Sequence, residues 1–525
     1  MVPKEVLTNK WSLIERQSFL NLTWIGIEKG SMKLSELCKT VPGAELHGED
    51  VDVAAVAYHT KDVVPGAVFV ALRGLRTDGH FFLKDASDKG AVAAVVNTPH
   101  PDGWPASKPL VVVPDTRKAL AMMAVRFYGD PSSRLRVYGV TGTNGKTTTA
   151  FLIQSIMSAA GVKTGVIGTL GCRIGSRVIE TDRTTPESLD LQRILSDLLR
   201  AGAEAVAVEV SSHALALGRT LGCRFAGAVF TNLTQDHLDF HPSIEDYFRA
   251  KSLLFTEYAT SMGERFVSAI GVDSDWGRRL CGMALGRVVT FGASPEAEVR
   301  AEDVNFSTDG TSFRLVSPWG SSEVHLKLVG EFNVQNALAS AALALGCGIG
   351  IDAVKAGLEE VSGVPGRFER VDRGQPFTVI VDYAHTPDGL EKLLRAASRL
   401  CRGRLLVVFG CGGDRDPGKR PLMGRIAARM SDLVVVTSDN PRSEDPELII
   451  DAVIAGIPEG LRGKVIRDSD RRSAIFKAVR LARPGDVVVI AGKGHEDYQI
   501  LGNTKIHFDD REVAAEALDA VLYAG

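Results

Sequence analysis

At 525 residues, 45% of them hydrophobic and 24% charged, the chain has a globular composition and is too long for one hydrophobic core, since single cores stop growing at about 250 to 300 residues. A formal net charge of -3, with no local basic stripe, excludes a nucleic-acid role and points to small-molecule partners. No apolar run reaches the roughly 18 residues that a membrane helix needs, and the N-terminus lacks the unbroken apolar core of a signal peptide, so a cytoplasmic protein with no membrane role is expected.

Residues 1–31 carry Trp11 and Trp24 but no periodic apolar face, and the patterned chain opens at Met32, a second possible start; the leader is read as an extension dispensable for activity. Between 32 and 133, β-rich runs at 67–72, 91–96 and 110–113 alternate with Gly/Pro turns and helix-like stretches. That predicts a small α/β domain closing near Asp130-Pro131-Ser132-Ser133. From 134 to 363, runs at 136–140, 205–210 and 226–230 recur between helical segments, as βαβ units around a parallel sheet do. The hinge-like Gly363-Val364-Pro365-Gly366 opens a third, doubly wound domain over 364–525, with strands at 378–381, 404–409, 433–437 and 487–491. Seven cysteines, scattered and without a C-x-x-C pair, argue against a disulfide framework and a zinc ribbon, and read as small apolar residues in a reducing compartment.

The run Thr141-Gly142-Thr143-Asn144-Gly145-Lys146-Thr147-Thr148-Thr149 lies between the strand ending at Val140 and the helical pattern at 150–159. Strand, glycine loop and helix in that order make a phosphate site: backbone N–H groups wrap the phosphates, Lys146 reaches the β/γ oxygens and the Thr147 hydroxyl can ligate Mg2+. The strict G-x-x-x-x-G-K-[ST] pattern fails, because Val140 stands where it needs glycine. Downstream, Glu209 closes the run 205–210 beside that loop, either as a Mg2+ ligand or as a charge capping a strand end. The segment 231–241 holds Asp236, His237, Asp239 and His241; without a cysteine partner or an H-E-x-x-H helix it suits a hard cation or a phosphate better than zinc. Lys251, seen alone, reads as a solvated helix lysine.

Together these pieces resemble the Mur ligase family, in the family's order, from about residue 32 to the end. The resemblance implies a three-domain α/β fold: a small N-terminal α/β UDP-binding domain, a central parallel-sheet P-loop ATPase domain and a C-terminal Rossmann-like domain that binds an amino acid. It assigns ATP to Gly142, Thr143, Asn144, Gly145, Lys146, Thr147 and Thr148, with Asn333 and Asn336 of Gly330-Glu331-Phe332-Asn333-Val334-Gln335-Asn336 on the adenine side. The implied catalytic set is Lys146, His237, a carbamylated Lys251, Arg367 of Pro365-Gly366-Arg367 and Asp382 of Asp382-Tyr383-Ala384-His385; Mg2+ would be held by Thr147, Glu209 and Lys251.

Pro65 to Gly74 and the Asp382-Tyr383-Ala384-His385 run resemble the family's branch that extends UDP-MurNAc-L-Ala-D-Glu. For that branch the muramoyl-dipeptide contacts map to Thr60, Thr184, Thr185, Ser211 and Arg219. The D-N-P-R motif of its meso-diaminopimelate-adding members is present as Asp439-Asn440-Pro441-Arg442, joined by Arg415, Gly492 and Glu496. The implied chemistry is ATP-driven activation of the D-Glu carboxylate as an acyl-phosphate and its capture by an amine, in a cytoplasmic monomer. There are departures: His59-Thr60-Lys61-Asp62-Val63 stands where the family often has D-S-R-K-V, Gly271 replaces an asparagine and Leu217 a polar residue. Rival readings are a folylpolyglutamate synthetase, which would lack the separate N-terminal domain and D-N-P-R; the lysine-adding branch, disfavoured by Arg442; and a nucleotide-binding partner protein without catalysis, against which Lys146, Glu209, His237, Lys251 and Asp382 stand intact.

Overall fold

In a computed structural model the described residues are 31–522, apart from 75, 76, 100, 176, 182, 308 and 309; the leader 1–31, save Ser31, lies outside them. Valine-rich runs bounded by glycine become strands, because β-branched side chains pack well on a pleated surface buried on both faces. The chain divides into two units, one ending at Gly129 and one running from Asp130.

In the first unit a five-stranded sheet runs in the order Glu45–His47, Leu110–Val112, Ala93–Val96, Ala67–Val70, Ala55–Ala57. Its four last strands are parallel and the first pair antiparallel. Helix Thr116–Tyr128 starts on an Asp115 cap, whose carboxylate accepts from the Arg117 and Lys118 amides, and ends at Gly129 with φ +76°. Thr60 opens the short 3-10 turn Thr60–Asp62 in this unit.

The second unit holds two large sheets. The first has eight strands in the order Arg177–Ile179, Gly171–Ile174, Thr164–Gly168, Ala205–Glu209, Arg136–Thr141, Phe225–Phe230, Val267–Gly271, Arg287–Phe291. Six are mutually parallel, but Gly171–Ile174 and Arg177–Ile179 add antiparallel, so this sheet is mixed where a parallel one is expected from the sequence. A tight turn after Gly168, too short for a crossover helix, forces the reversal. The βαβ reading also passes over an antiparallel three-stranded sheet, Arg300–Ser307, Gly310–Ser317 and Gly320–Leu326, whose hairpins turn at glycines. Helix Glu331–Gly346 is almost wholly buried, since its Ala/Leu sequence has no solvent face.

The last sheet runs Glu369–Arg370, Thr378–Asp382, Val487–Ala491, Leu405–Phe409, Leu433–Val436, Val465–Arg467, parallel except at the first strand. Helices cover both faces, with Val379 and Val381 in one core and Ile380 in the other. The strands therefore end together, and Thr141, Glu209, Asp382 and Gly492 lie at or just past carboxyl ends, where open α/β sheets bind ligands. All seven cysteines are free, and no helix among the described residues is long and apolar enough to cross a membrane.

One buried ion pair braces the C-terminal sheet. Arg471 donates to both Asp510 oxygens at 2.8 and 2.6 Å and to the carbonyls of Ser438 and Ala491 at 3.3 and 3.0 Å, and both side chains are 0% exposed. Asp510→Ala leaves the guanidinium buried and uncompensated, and should lower stability by about 3–5 kcal/mol in urea unfolding followed by circular dichroism. An unchanged midpoint would show the pair to be dispensable.

Candidate functional site

The glycine loop is shaped by two left-handed glycines that have no room for a side chain. At Gly142, φ +149°, a Cβ would lie 1.9 Å from the Thr231 hydroxyl; at Gly145, φ +89°, it would lie 2.3 Å from Asn336 Oδ1. Helix Lys146–Ala159 begins directly afterwards, so its first N–H groups face the loop. Lys146 Nζ folds back onto the carbonyls of Gly142 and Thr143 at 2.9 and 2.8 Å. Its ammonium is pushed below its ordinary pKa by burial, partly offset by Glu209 and Asp236. The Thr143 hydroxyl meets the Tyr247 hydroxyl at 3.2 Å, and the Asn144 amide donates to Asn232 Oδ1 at 3.0 Å.

Glu209, 1% exposed, is held from three sides: Thr147 Oγ1 donates to Oε2 at 3.0 Å, the Thr169 amide to Oε1 at 2.9 Å and the Thr169 hydroxyl to Oε2 at 3.1 Å. Thr185 donates to the Glu209 carbonyl at 2.8 Å and accepts from the Ser211 amide at 3.0 Å, while the Thr184 hydroxyl accepts from Thr169 at 3.1 Å. Arg219 lies 3.7 Å from the buried Glu187 carboxylate. Thr184, Thr185 and Ser211 thus stand beside Glu209 and Arg219 lines the same cavity, whereas Thr60 belongs to the first unit, where its carbonyl accepts from Lys89 at 3.1 Å.

Lys251 corrects the reading of a solvated lysine, for it is 1% exposed. Tyr247, Lys251, Leu254 and Phe255 recur at helical spacing on the buried face of Ile244–Thr256, which turns the lysine inward. Its Nζ donates to the Gly142 carbonyl at 2.9 Å and sits 4.5 Å from the Tyr247 ring centroid. Burial, then the Lys146 charge, drive its pKa well below the lysine range. His237, at φ +56°, packs edge-on to His213 at 4.8 Å, and its Nε2 lies 3.4 Å from Asp236 Oδ2. Burial pushes His237 down to about 3 despite that carboxylate, so the ring is neutral at pH 7. Burial would raise Asp236, but His237, His385 and Lys419 outweigh it and hold the carboxyl near 2. Among the described residues no three His, Cys, Asp or Glu side chains gather to hold a metal, and His241 instead meets Ser212 Oγ at 2.9 Å.

The two sheets of this unit meet across the loop. Arg367 Nη2 donates to Thr147 Oγ1 at 3.0 Å with its guanidinium over the Tyr383 ring, and Asn144 Nδ2 donates to Asp388 at 2.9 Å. Asp382 accepts the amides of Phe368 and Ala384, each at 2.7 Å; burial raises its pKa against Arg367 and those two donors. A cavity of about 620 Å3 is bordered by Lys146, Glu209, His237, Lys251, Arg367 and Asp382. Asn336 borders it too, but Asn333 is buried behind, donating to the Val329 carbonyl at 2.9 Å and accepting from Asn336 at 3.2 Å.

Past the strand Leu433–Val436, Asn440 donates to Glu496 Oε2 at 2.9 Å, and Asn440 Oδ1 accepts from Lys493 at 3.1 Å and from the Ile500 amide at 2.9 Å. Asp439 and Asn440 are 8% and 2% exposed, whereas Arg442 and Glu496 are half-buried and Arg415 is exposed. Arg442, at φ +54°, donates to the Gly413 carbonyl at 2.7 Å. Burial, then the adjoining Arg415 guanidinium, lower the Arg442 pKa. Sequence reading passed over Gly168, Thr169 and Lys493; a glycine ending a strand and a lysine between two glycines were the available signals.

Loop, buried carboxylate and acceptor-side cations on these two sheets define the class, and this chain belongs to the Mur ligase family. Family models match as Mur ligase family, catalytic domain, over 52–128; Mur ligase middle domain over 140–344; and Mur ligase, glutamate ligase domain, over 366–494. It is 47% identical over 505 residues to the UDP-N-acetylmuramoyl-L-alanyl-D-glutamate--2,6-diaminopimelate ligase of Geobacter metallireducens, covering 93% of this chain and 98% of that one. A solved structure of a ligase of the same name is 34% identical, with TM-score 0.64, covering 94% of this chain and 99% of that one. The MurF ligase of Thermotoga maritima in complex with ADP, 20% identical with TM-score 0.64 and covering 90% and 98%, shares the fold.

A Cβ at Gly168 would lie 2.1 Å from Glu209 Oε1. Gly168→Ala should therefore displace the carboxylate, slow ATP turnover roughly 100-fold and lower the urea midpoint as well. Full turnover in that variant would show that the Glu209 position does not matter.

Proposed function

We infer that the chain is an ATP-dependent ligase that joins meso-diaminopimelate to the D-Glu of UDP-N-acetylmuramoyl-L-alanyl-D-glutamate. The observation that carries this reading is the single cavity where the glycine loop, Glu209, Lys251, Arg367 and Asp382 converge, in a chain alike along nearly its whole length to ligases of that name. A carboxylate is a poor acyl donor at neutral pH. ATP must first convert it to an acyl-phosphate, and the acceptor amine then expels phosphate through a tetrahedral intermediate.

The amides of Gly145 to Thr148 at the helix N-terminus face the phosphates while Gly142, Thr143 and Asn144 shape the loop around them, and Lys146 exchanges its two loop carbonyls for β/γ oxygens. Arg367 offsets charge on the transferring group, and Asp382 fixes the loop that carries it. Neutral His237 adds no cation that would compete for the phosphates. The oxygens of Thr147 and Glu209, 3.0 Å apart, fit a hard cation such as Mg2+, which when bound would neutralise phosphate charge. Lys251 joins that set as a carbamate: its neutral amine adds to CO2, a C–N bond forms and one proton leaves, replacing a cation by two hard oxygens.

Thr184, Thr185, Ser211 and Arg219 hold the muramoyl dipeptide, and Asn336, backed by Asn333, the adenine side of ATP. Arg442 and Arg415 take the distal carboxylate of diaminopimelate and Glu496 its distal ammonium, with Asp439, Asn440 and Gly492 shaping the pocket. In this reading the chain acts as a cytoplasmic monomer of three domains, 32–133, 134–363 and 364–525.

Phosphate release that requires both UDP-muramoyl dipeptide and diaminopimelate tests the reaction. In the same assay Arg442→Ala should lose roughly 30- to 3000-fold in kcat/KM for diaminopimelate, corresponding to about 2–5 kcal/mol, and little with L-lysine. A diaminopimelate KM within twofold of wild type would sink the acceptor assignment but not the ligase.

The carbamate has its own test. Lys251→Ala should lose most activity and regain part with millimolar acetate or propionate, and an unmodified lysine mass in active enzyme would count against it.

A further inference from the structure

Beneath the acceptor pocket one lysine is sealed from solvent. Lys493 is 0% exposed, set between Gly492 and Gly494, both of positive φ. Its Nζ lies 3.3 Å from Asp439 Oδ1 and 3.7 Å from Glu496 Oε2, and donates to Asn440 Oδ1 at 3.1 Å and to the Tyr498 carbonyl at 2.6 Å. A buried ammonium is tolerated only when its donors and charge are matched, and here two carboxylates, an amide oxygen and a carbonyl match it.

We propose that Lys493 is a positioning residue for acceptor choice: it holds Glu496 as an anion beside a second buried carboxylate, and anchors the hairpin on which Arg442 docks. This rests on reading Glu496 and Arg442 as the acceptor-binding pair.

The charge argument is direct. Glu496 faces Asp439, Lys493, Arg442, Arg471, Tyr383 and Tyr498. Burial, then Asp439, raise its pKa, and the Lys493 ammonium leads the groups that oppose them. Asp439 itself stays low, because Lys493 and Arg471 overcome its burial. Without the ammonium the two carboxylates repel each other in a poorly hydrated space, and the one already raised, Glu496, takes a proton. A protonated Glu496 has no charge to offer an acceptor's ammonium.

The hairpin is the second half. Tyr498–Leu501 pairs with Thr504–His507, and its first residue is the one whose carbonyl Lys493 holds. Arg442 docks on that hairpin: its amide donates to the Ile500 carbonyl at 3.2 Å, and its carbonyl accepts from Gly502 at 2.9 Å. This pairing keeps a non-glycine residue at φ +54°. One ammonium thus links the anionic and the cationic ends of the pocket.

The experiment is acceptor kinetics against pH for the full chain and its variants. In Lys493→Met the diaminopimelate KM should rise at least tenfold at pH 7, fall back toward wild type as pH rises to 9, and outweigh any change in kcat. The double variant Lys493→Met/Asp439→Asn removes one carboxylate with the ammonium and should recover much of the KM. A pH-independent KM near wild type in Lys493→Met, or no recovery in the double variant, overturns the proposal. Should Lys493→Met fail to fold, Asp439→Asn alone reads the coupling from the other side: Glu496 keeps its charge to lower pH, so the acid-side rise in KM shifts down by about one pH unit. An unmoved rise overturns the proposal. Wild type that turns over neither diaminopimelate nor lysine overturns the acceptor reading as well, whereas active wild type with indifferent variants overturns only the role of Lys493.

Discussion

The carboxylate of Glu209 is the constraint on which the central site depends. It is buried at the end of its strand, where an unpaired charge would be prohibitive, and so it dictates what surrounds it: the Thr147 hydroxyl, the amide and hydroxyl of Thr169, and a residue at 168 with no side chain. Those partners come from the helix after the glycine loop, from the turn into the antiparallel edge, and from a parallel strand. Satisfying one charge therefore locks three segments in register. The Thr185 bond to the Glu209 carbonyl extends the lock to the segment that holds the proposed dipeptide contacts.

Cation is crowded against cation around the same loop. Lys146 and Lys251 both donate to the carbonyl of Gly142, and both have depressed pKa values from burial. Lys146, Lys251 and Arg367 share the cavity with the carboxylates of Glu209, Asp236 and Asp382, so phosphates that enter it add negative charge that a cation would have to offset. The acceptor pocket repeats the theme, with Arg415 beside Arg442 and Lys493 below Glu496. Buried charges at both places specify geometry at a cost in intrinsic stability.

The hinge segment at 363–366 gains its meaning from what crosses it. Arg367 reaches Thr147, Asn144 reaches Asp388, and Asp236 lies 4.0 Å from His385. Each joins a residue of the glycine-loop sheet to one of the C-terminal sheet, so relative movement of the two would make or break side-chain bonds at the reacting phosphate itself.

Local chemistry was legible in the sequence: strand, glycine loop and helix at 136–159 follow from β-branched runs and glycine, and the apolar strands at 378–381 and 487–491 from their composition. The glycine loop and Glu209 have a chemistry that can be read locally, whereas the site residues from Asn333 to Glu496 were assigned by the resemblance to the family. What the chain could not reveal locally was direction and burial. Lys251 reads as solvated until its helix is packed, and the antiparallel edge at Gly171–Ile174 arises only where a short turn reverses the chain. Thr169 carries no signature at all, because a hydroxyl becomes specific only when a distant segment places a charge against it, and Lys493 shows only its two flanking glycines. Sequence determined which groups this protein has; tertiary structure decided which of them lose water together, and that loss sets their charge.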